Sequence, residues 1–188
     1  MDASEEIPLS FHPKERAASN ASLEDIFRLQ YPRLVSLLAR ITSDRGRAEE
    51  LASEVFYRLS SRPALFRPDG NVDGWLYRTA VNLGLDALRM EARRRRNEQA
   101  AGAEASRHSS AGDPLSDMLR SERRMRVQAV LAALKPVSAT LLLLRHAGLS
   151  YSELADAMAI NPASVGTLLA RATAEFEKKY RSLHGGEL

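Results

Sequence analysis

Arginines are concentrated in one short stretch of this 188-residue chain. Between residues 78 and 97 there are six arginines and two acidic residues, and Arg93 to Arg96 are consecutive. A guanidinium group keeps its charge and donates paired hydrogen bonds to phosphate oxygens, so the chemistry indicated is the binding of a polyanion. The alternative is a solvated helix end whose arginines interact with the helix dipole. Four consecutive arginines exceed that requirement, so the sequence favours phosphate contacts.

Aromatic residues lie just before these arginines. Phe66 falls in a segment rich in proline and glycine, and Trp75 and Tyr77 follow near the start of a predicted helix. Aromatic rings beside a basic helix can stack on unpaired bases. For Trp75, an anchor in the hydrophobic core is an equally good interpretation. The combination indicates a site for single-stranded nucleic acid.

A second DNA-binding pattern lies closer to the C-terminus. Ser150 and Glu153 have capping-box spacing, Ala159 holds a turn position where glycine is common, and Asn161 with Pro162 opens another helix. Two short helices joined in this way are typical of a helix-turn-helix, although a hairpin that packs on another protein fits as well. The second helix would present a slim, nearly uncharged face with little hydrogen-bond readout. The residues predicted to face DNA are Ala163, Ser164, Thr167, Ala170 and Arg171.

Catalysis and metal binding are not indicated. The four histidines, His12, His108, His146 and His184, are scattered, and the chain has no cysteine and no phosphate-binding loop. No ligand set or catalytic group can be assembled from them. We therefore expect no metal, no cofactor and no enzymatic activity.

Composition restricts the class of protein. The net charge is only +3, so the arginines form a patch on a nearly balanced chain. The absence of cysteine excludes disulfides and permits a reducing compartment. No apolar run approaches the length of a membrane span, and the first residues contain no signal-like apolar stretch. We expect a soluble cytoplasmic protein without membrane insertion.

Helical periodicity predicts the elements that position these groups. Apolar residues recur at three- and four-residue spacing, which places Leu23, Phe27 and Met90 among the predicted core residues, and no segment alternates with the period of a strand. Ser22 would cap a first helix, in which Pro32 should cause a kink or begin a new helix.

A second helix is predicted from about Arg47 to Ser61, with an acidic exposed face that carries Glu49, Glu50 and Glu54. A third is predicted from near Trp75. The expected fold is all-α, with two small helical domains.

A change in composition separates the two predicted domains. The segment NEQAAGAEASRHSSAGD is small and polar, as in flexible linkers, and Asp113 with Pro114 restarts a helix. The predicted division is a disordered tail at 1–21, a first domain at 22–97, a flexible linker at 98–113, a helix-turn-helix domain at 114–182 and a tail at 183–188.

Three stretches, taken in order, resemble those of an extracytoplasmic-function sigma factor, the smallest type in the bacterial sigma-70 family. DRGRAEELASEVFYRL (44–59) is similar to the helix that binds core polymerase. WLYRTAVNLGLDALRMEARRR (75–95) is similar to the helix that melts and reads the promoter minus-ten element. LLLLRHAGLSYSELADAMAINPASVGTLLARA (141–172) is similar to the domain that binds the minus-thirty-five element.

The resemblance implies a sigma region 2-like domain, a sigma region 4-like domain and a subunit that directs core RNA polymerase to promoters and melts them. Its implied partners are core RNA polymerase, the melted minus-ten strand, minus-thirty-five duplex DNA and, as a further candidate, an anti-sigma factor. The residues that would contact polymerase are Glu49, Glu50, Leu51, Glu54, Val55 and Phe56. A loop from Phe66 to Asp73 would hold a flipped base. The DNA-contacting residues of the first domain would be Phe66, Trp75, Arg78, Asn82, Asp86, Arg89, Arg93, Arg94, Arg95 and Arg96.

The second domain departs from the family pattern at Gly166 and Leu168, where many members carry basic residues. We therefore expect the first domain to read the promoter and the second mainly to position the protein. Two other functions stay open on the residues alone. One is a helix-turn-helix regulator that acts without polymerase, and the other is a helical adaptor that binds only proteins.

Overall fold

The computed structural model describes residues 22–66, 70–100 and 114–185. The predicted tail at 1–21, residues 67–69 of the predicted loop, most of the predicted linker (101–113) and residues 186–188 lie outside the described residues. Within the described ranges there are seven α-helices, two short 3₁₀ helices and no strand, which confirms the all-α prediction. The α-helices are α1 (Leu23–Thr42), α2 (Arg45–Ser60), α3 (Val72–Ala100), α4 (Pro114–Ala133), α5 (Pro136–His146), α6 (Tyr151–Met158) and α7 (Val165–His184).

Side-chain caps determine where two of the helices begin. At α1, Ser22 Oγ accepts a hydrogen bond from the Asp25 amide at 3.2 Å, and Asp25 Oδ2 accepts one from the Ser22 amide at 3.1 Å. Ser150 and Glu153 form the same reciprocal pair at α6, at 3.3 and 2.7 Å. These bonds satisfy backbone amides that have no partner within the helix. Both predicted caps are confirmed.

Helices α1, α2 and α3 pack together to form the first domain. Gly84 lets α1 approach α3 closely, because a Cβ there would lie 3.1 Å from Leu38 Cδ2 and 3.2 Å from Ile41 Cγ2. Helix α1 continues through Pro32, so no new helix begins at that residue. The largest fully buried side chains at the centre of this domain are Leu34, Leu37, Leu38, Ile41, Val55, Leu59, Leu76 and Leu85.

Three residues that the periodicity placed in the core are exposed. Leu23 and Phe27 are exposed by 38% and 42%, and Met90 by 70%. Phe27 instead stacks on Tyr31, with a centroid separation of 4.6 Å, and meets the edge of Phe56 at 4.8 Å. Met90 lies towards the end of α3, which has 29 residues and is longer than α1 and α2. Periodicity identifies a helix face, but it does not show how far the neighbouring helices extend along that face.

A carboxylate of α7 holds the start of α5 in the second domain. Glu175 accepts hydrogen bonds from Ser138 Oγ at 2.7 Å and from the Lys135 amide at 3.3 Å. These bonds lower the pKa of the Glu175 carboxyl, and the charges of Lys135 and Lys179 act in the same direction. Lys135, the N-cap of α5, makes no capping bond through its own side chain. The capping group therefore comes from another helix.

Helices α6 and α7 form the predicted helix-turn-helix. The turn passes through Ala159 in a left-handed conformation, with φ 53°, as the sequence suggested for a position where glycine is common. Asn161 Oδ1 then accepts from the Ala163 amide at 2.9 Å, and a 3₁₀ turn, Pro162–Ser164, leads into α7. The buried residues of the motif are Leu154, Ala155, Ala157, Val165, Leu169 and Ala172.

The two domains pack against each other through α3. This helix contacts α4, α5 and α6 as well as α1 and α2, and buried residues of both domains form one continuous core. Thr140 Oγ1 of α5 donates to Asn82 Oδ1 of α3 at 3.0 Å. Gln128 Nε2 of α4 donates to the Ile41 carbonyl at 2.7 Å and to Ser43 Oγ at 2.9 Å. The sequence did not predict this arrangement.

Candidate nucleic-acid interface

One side of α3 carries six of the ten residues of the first domain that were predicted to contact DNA. Successive residues of an α-helix advance by roughly 100°, so six of the predicted positions fall within about 80° of one another around the α3 axis. Structure and sequence therefore agree that these residues share one face of a single helix. This set, termed the α3 stripe, consists of Trp75, Arg78, Asn82, Asp86, Arg89 and Arg93.

A surface pocket of about 450 Å³ opens between the α3 stripe and the end of α2. Three of its lining residues are arginines and one is an aspartate, so its charge is positive. A pocket that combines guanidinium groups with an aromatic ring suits the phosphate and the base of a nucleotide. The lining residues are Arg58, Arg62, Trp75, Arg78, Thr79, Asn82, Leu83 and Asp86.

Arg58 and Arg62 are pocket residues that the sequence analysis missed. Arg58 Nε donates to Glu54 Oε1 at 2.8 Å, and the Arg62 guanidinium lies 5.4 Å from the centroid of the Trp75 ring, in cation–π contact. Arg58 lies in the last turn of α2 and Arg62 lies two residues after its end, and their four-residue spacing was the available signal. Trp75 is half-buried against the core and also lines the pocket, so its position fits both predicted roles.

The four consecutive arginines near the end of α3 are all exposed but do not have equivalent surroundings. Arg94 and Arg95 both pair with Glu91, at 3.1 and 2.9 Å, and Arg94 also approaches Glu98 at 3.7 Å. Burial alone would raise the pKa of the Glu91 carboxyl, but the bonds and charges of Arg94 and Arg95 lower it overall. Arg96 Nε donates to the Ala92 carbonyl at 3.2 Å. Arg93 has no acidic partner among the described residues.

Arg89, in the middle of the basic segment, is less accessible. It approaches Asp86 at 3.5 Å, and its side chain is 29% exposed. Its Nη2 atom is buried without a hydrogen-bond partner among the described residues. A buried guanidinium nitrogen without a partner is unfavourable, so this arginine has unused capacity to donate to a ligand.

The predicted base-holding loop is shorter than the sequence indicated. Asn71 Oδ1 accepts from the Gly74 amide at 2.8 Å, so α3 begins at Val72 and includes Asp73 in its first turn. Burial raises the pKa of the Asp73 carboxyl, although Gln30 Nε2 donates to it at 2.8 Å. Phe66 lies in the 3₁₀ turn Pro63–Phe66, half-buried against the core.

The predicted DNA face of α7 is exposed. Gly166 is half-buried, and a Cβ there would lie 3.7 Å from Tyr151 Cε2, an ordinary contact distance. Leu168 packs against the core. The exposed residues are Ala163, Ser164, Thr167, Ala170 and Arg171.

A second positive charge lies near this face and was not predicted. The Arg145 guanidinium lies 5.6 Å from the centroid of the Tyr151 ring, and its Nη1 donates to the Leu149 carbonyl at 2.9 Å. Tyr151 is 50% exposed and would contact a side chain added at Gly166. Arg145 therefore supplies positive charge from α5, so the sequence of α7 alone gives no sign of it.

The six residues predicted to contact polymerase divide into two groups. Leu51, Val55 and Phe56 are buried in the core, where they hold α2 in place. The three glutamates face outwards, each in an ion pair with an arginine of α2. These pairs are Glu49 with Arg45 at 3.1 Å, Glu50 with Arg47 at 2.7 Å and Glu54 with Arg58 at 2.8 Å.

These ion pairs change the predicted character of the α2 surface. The sequence analysis expected an acidic face, but the arginines balance the glutamates locally. Exposed ion pairs of this kind contribute little to stability, so their partners can exchange at small cost. Partly exposed rings of α1, Phe27 and Tyr31, lie beside this surface, with Tyr31 Oη 3.5 Å from the Glu49 carbonyl.

Neither a metal-binding cluster nor a membrane-spanning helix occurs within the described ranges. No group of three or more histidine, aspartate or glutamate side chains there could hold a metal ion. No helix there is both long enough and apolar enough to cross a membrane.

Comparison with known proteins establishes the family. The model of Sigma-70 region 2 matches residues 26–94, and the model of Sigma-70, region 4 matches residues 124–175. The ECF RNA polymerase sigma factor SigK of Mycolicibacterium vanbaalenii is 30% identical over 141 residues, which cover 71% of this chain and 68% of that protein. The chain belongs to the sigma-70 family, among its extracytoplasmic-function (ECF) sigma factors.

Other similar proteins agree with this assignment. The ECF RNA polymerase sigma factor SigE of Mycolicibacterium smegmatis is 28% identical over 90% of this chain, which spans 65% of SigE's length. The RNA polymerase sigma factor YlaC of Bacillus subtilis is 27% identical over 84% of this chain and 91% of its own length. A chain in the co-crystal structure of the sigma factor RpoE with the anti-sigma factor NepR from Bartonella quintana has a TM-score of 0.51. That match covers 84% of this chain and 96% of the other at 17% identity, and it shows a shared fold.

The α3 stripe lies within the region 2 match and the helix-turn-helix within the region 4 match. Arg95 and Arg96 follow directly after the region 2 match. The basic segment therefore continues beyond the part of the chain that the family model covers.

Proposed function

We propose that this protein is a non-catalytic sigma factor that binds core RNA polymerase, directs it to promoters and opens promoter DNA. The observation that carries this proposal is the α3 stripe with its arginine-lined pocket, inside a segment that matches Sigma-70 region 2. Core polymerase acts in the bacterial cytoplasm, so the proposed site of action is there.

Promoter opening on this surface would depend on capturing bases as they leave the duplex. Removing a base from the stack costs a few kcal/mol. Stacking of the base on an aromatic ring returns roughly 1–3 kcal/mol, and contacts between arginines and phosphates add to it. We assign the base to the pocket at Trp75, with Arg62 above the ring, and the backbone phosphates to Arg58, Arg78 and Arg93.

Polymerase binding is assigned to the exposed side of α2. Glu49, Glu50 and Glu54 would exchange their arginine partners for basic groups of the polymerase. Leu51, Val55 and Phe56 would support this surface from within the core. An interface of this type derives its specificity from complementary charge.

The helix-turn-helix is assigned to minus-thirty-five duplex DNA. Its exposed face is neutral apart from Arg171, so α7 would contribute fit and thymine-methyl contacts more than hydrogen bonds. Arg145 beside Tyr151 would add a phosphate contact. The second domain would therefore position the protein more than it reads sequence.

An anti-sigma factor is a proposed further partner, because the similar fold of RpoE is found in complex with NepR. A regulator that acts without polymerase is less well supported, since the Sigma-70 region 2 match covers residues 26–94, nearly all of the first domain. The same match argues against an adaptor that binds only proteins, because this domain carries the arginine-lined pocket.

A charge reversal on α2 tests the assigned polymerase surface. Glu50→Lys should weaken binding to core RNA polymerase by roughly tenfold or more, because like charges facing each other at an interface are strongly unfavourable. Glu122→Lys is the matched control, since Glu122 also pairs with an arginine one turn away on an exposed helix, in α4. Affinity would be measured by fluorescence titration, with circular dichroism to verify the fold. Equal affinities of both variants and the parent for core polymerase would refute the α2 assignment.

A further inference from the structure

The proposed polymerase surface of α2 lacks the apolar contacts that its sequence motif indicated. Leu51, Val55 and Phe56 are buried in the core, so the predicted contacts that remain on the surface are three glutamates in ion pairs. Exposed ion pairs contribute little energy. Stable interfaces depend instead on a few large side chains, most often tryptophan, tyrosine or arginine. A further residue of this surface is therefore expected to supply most of the binding energy.

Tyr57, in the last turn of α2, is the large side chain that this surface presents. It is 72% exposed, more than any other large hydrophobic residue among those described. The residues four positions before and after it, Ser53 and Ser61, are small. Ser60 bends back to its own backbone, where Ser60 Oγ donates to the Tyr57 carbonyl at 2.7 Å. The ring therefore projects from α2 with only serines along its own row of the helix.

A carboxylate lies beside this ring. Glu54 and Tyr57 are three residues apart, so their Cβ atoms are neighbours at about 5–6 Å on the helix surface. Glu50 lies on the same side, within about 20° of Tyr57 around the helix axis, two turns closer to the start of α2. An aromatic ring next to a carboxylate suits a guanidinium group, which can stack on the ring and donate hydrogen bonds to the carboxylate.

We propose that Tyr57 anchors core RNA polymerase by stacking on a guanidinium group of the polymerase, which pairs with Glu54 at the same time. This inference rests on the proposed polymerase surface of α2 and adds the residue that supplies most of its binding energy. Glu54 would exchange Arg58 for the incoming group. The cost is small, because both side chains of that ion pair are already exposed by more than 40%.

The surroundings of Tyr57 favour a guanidinium group over other ligands. The residues at three- and four-residue spacing from Tyr57 are all polar, so an apolar side chain would find no apolar partner on α2 besides the ring itself. These residues are Ser53, Glu54, Ser60 and Ser61. A guanidinium group is planar and weakly hydrated, so it loses less hydration on stacking than the compact ammonium group of a lysine.

Substitutions of Tyr57 separate a stacked cation from simple apolar burial. Tyr57→Phe keeps the ring and should retain most of the affinity for core RNA polymerase. Tyr57→Leu keeps an apolar side chain without a ring, and we expect its affinity to fall roughly tenfold. Tyr57→Ala removes the side chain and should weaken binding roughly thirtyfold. Fluorescence titration of the labelled full chain with core polymerase would measure all three, with circular dichroism to verify the fold.

A double variant tests whether Tyr57 and Glu54 contact the same group. If they do, the loss in Tyr57→Ala combined with Glu54→Gln should be smaller than the product of the two single losses. Glu49→Gln is the matched control, because Glu49 also pairs with an arginine of α2 but lies eight residues from Tyr57. Its loss should simply multiply with that of Tyr57→Ala. Losses that multiply for Glu54→Gln as well would show that the two side chains do not share one guanidinium group.

Rate constants distinguish the anchor from the charges around it. Tyr57→Ala should act mainly on the dissociation rate, whereas Glu50→Lys should act mainly on the association rate and most strongly at low salt. Met90→Ala is the control for loss of an exposed apolar side chain, since Met90 is 70% exposed and belongs to α3. Stopped-flow mixing of each variant with core polymerase would measure both rates.

Three results would overturn the anchor, and they are distinguishable. If Tyr57→Ala binds core polymerase as tightly as Met90→Ala while Glu50→Lys binds weakly, Tyr57 is no anchor but the α2 surface is correct. If Tyr57→Leu binds as tightly as Tyr57→Phe, no cation stacks on the ring. If neither Tyr57→Ala nor Glu50→Lys weakens binding, α2 does not face polymerase, and the proposed surface fails together with its anchor.

Discussion

At the scale of single residues, neighbouring arginines of α3 differ in their existing partners. Arg94 interacts with Glu91 and Glu98, whereas Arg93 has no acidic partner among the described residues. An arginine that already has carboxylate partners is less available to neutralise a phosphate, so its contact displaces fewer of the counterions condensed on the nucleic acid. Arg93 is therefore expected to contribute more to strand binding than Arg94.

The comparison of these two arginines is a direct prediction. Arg93→Gln should reduce the log–log salt slope of single-stranded DNA binding by about 0.7, the value for one phosphate contact on a single strand. Arg94→Gln should reduce it less. Titrations of the polymerase complex at several salt concentrations would measure both slopes, with the parent protein as reference. Identical slopes for all three proteins would mean that these arginines are merely solvated.

Glu175 makes a prediction about acid stability. Its folded pKa is lowered from 4.5, mainly by the Ser138 hydroxyl, so its stabilising effect is present above pH 4.5 and is lost as pH falls through the lowered folded pKa. Glu175→Gln should reduce the free energy of unfolding by about 1 kcal/mol at neutral pH, since a charged cap of α5 is lost. The difference between the two proteins should shrink in acid.

Denaturant unfolding of the full chain at neutral and acidic pH would measure this difference. Glu177→Gln is the control on the same helix, because Glu177 is in a surface ion pair with Arg181 at 3.6 Å. That pair should contribute little at either pH. If the free energy of unfolding differs between Glu175→Gln and the parent by the same amount at every pH, the carboxylate has no capping role.

At the scale of secondary-structure elements, α7 can accommodate a basic side chain at position 166, where the chain has glycine. A Cβ at Gly166 meets Tyr151 at an ordinary 3.7 Å. Gly166→Lys should therefore raise the affinity for minus-thirty-five duplex DNA at low salt, and the gain should fade as salt screens the phosphate contact. Thermal stability should change little. Replacing a glycine in a helix contributes up to about 1 kcal/mol, but Gly166 is in the first turn of α7, where a positive charge opposes the helix dipole.

Gly166→Ala separates the two effects of this substitution. The alanine replaces the flexible glycine without adding a charge. The thermal stability should therefore rise while the affinity for duplex DNA stays at the parent level. Gel-shift titrations at low and high salt, with thermal melting, would provide both readouts. If the alanine and lysine variants bind duplex DNA equally, the side chain at 166 does not reach the phosphates.

Most of the elements could be predicted from local signals. Ser22 and Ser150 cap helices as expected, and Ala159 forms the turn at the position where glycine is common. The start of α3 was placed too late, because its cap, Asn71, lies within a stretch of prolines and glycines that indicated only a loop. Pro32 does not begin a new helix, since a proline removes one backbone donor and the packed neighbours of α1 can offset that loss.

At the scale of the whole molecule, the contacts between elements limited the prediction. The α3 stripe could be predicted because one helix carries all of it, but Arg58 enters the pocket from α2 and Arg62 from the segment after it. The same limit applies to Leu51, Val55 and Phe56, whose motif indicated a partner surface and whose side chains lie in the core. Thr140 and Gln128 form hydrogen bonds between the two domains. Each is a single polar residue within a helix, so no sequence motif predicts these contacts.

The most direct test of the proposed function is in vitro transcription with purified core RNA polymerase, the full chain and a library of genomic promoters. We predict transcripts that begin at defined positions only when the chain is present. Arg78→Gln, in the α3 stripe, should reduce the amount of these transcripts on duplex templates. On templates melted beforehand at the minus-ten region, the variant should recover much of the transcript yield, because melting is then no longer required. Two results would contradict promoter opening by α3. One is that Arg78→Gln and the parent give equally abundant position-specific transcripts on duplex DNA. The other is that no such transcripts form although the chain makes a stable complex with polymerase.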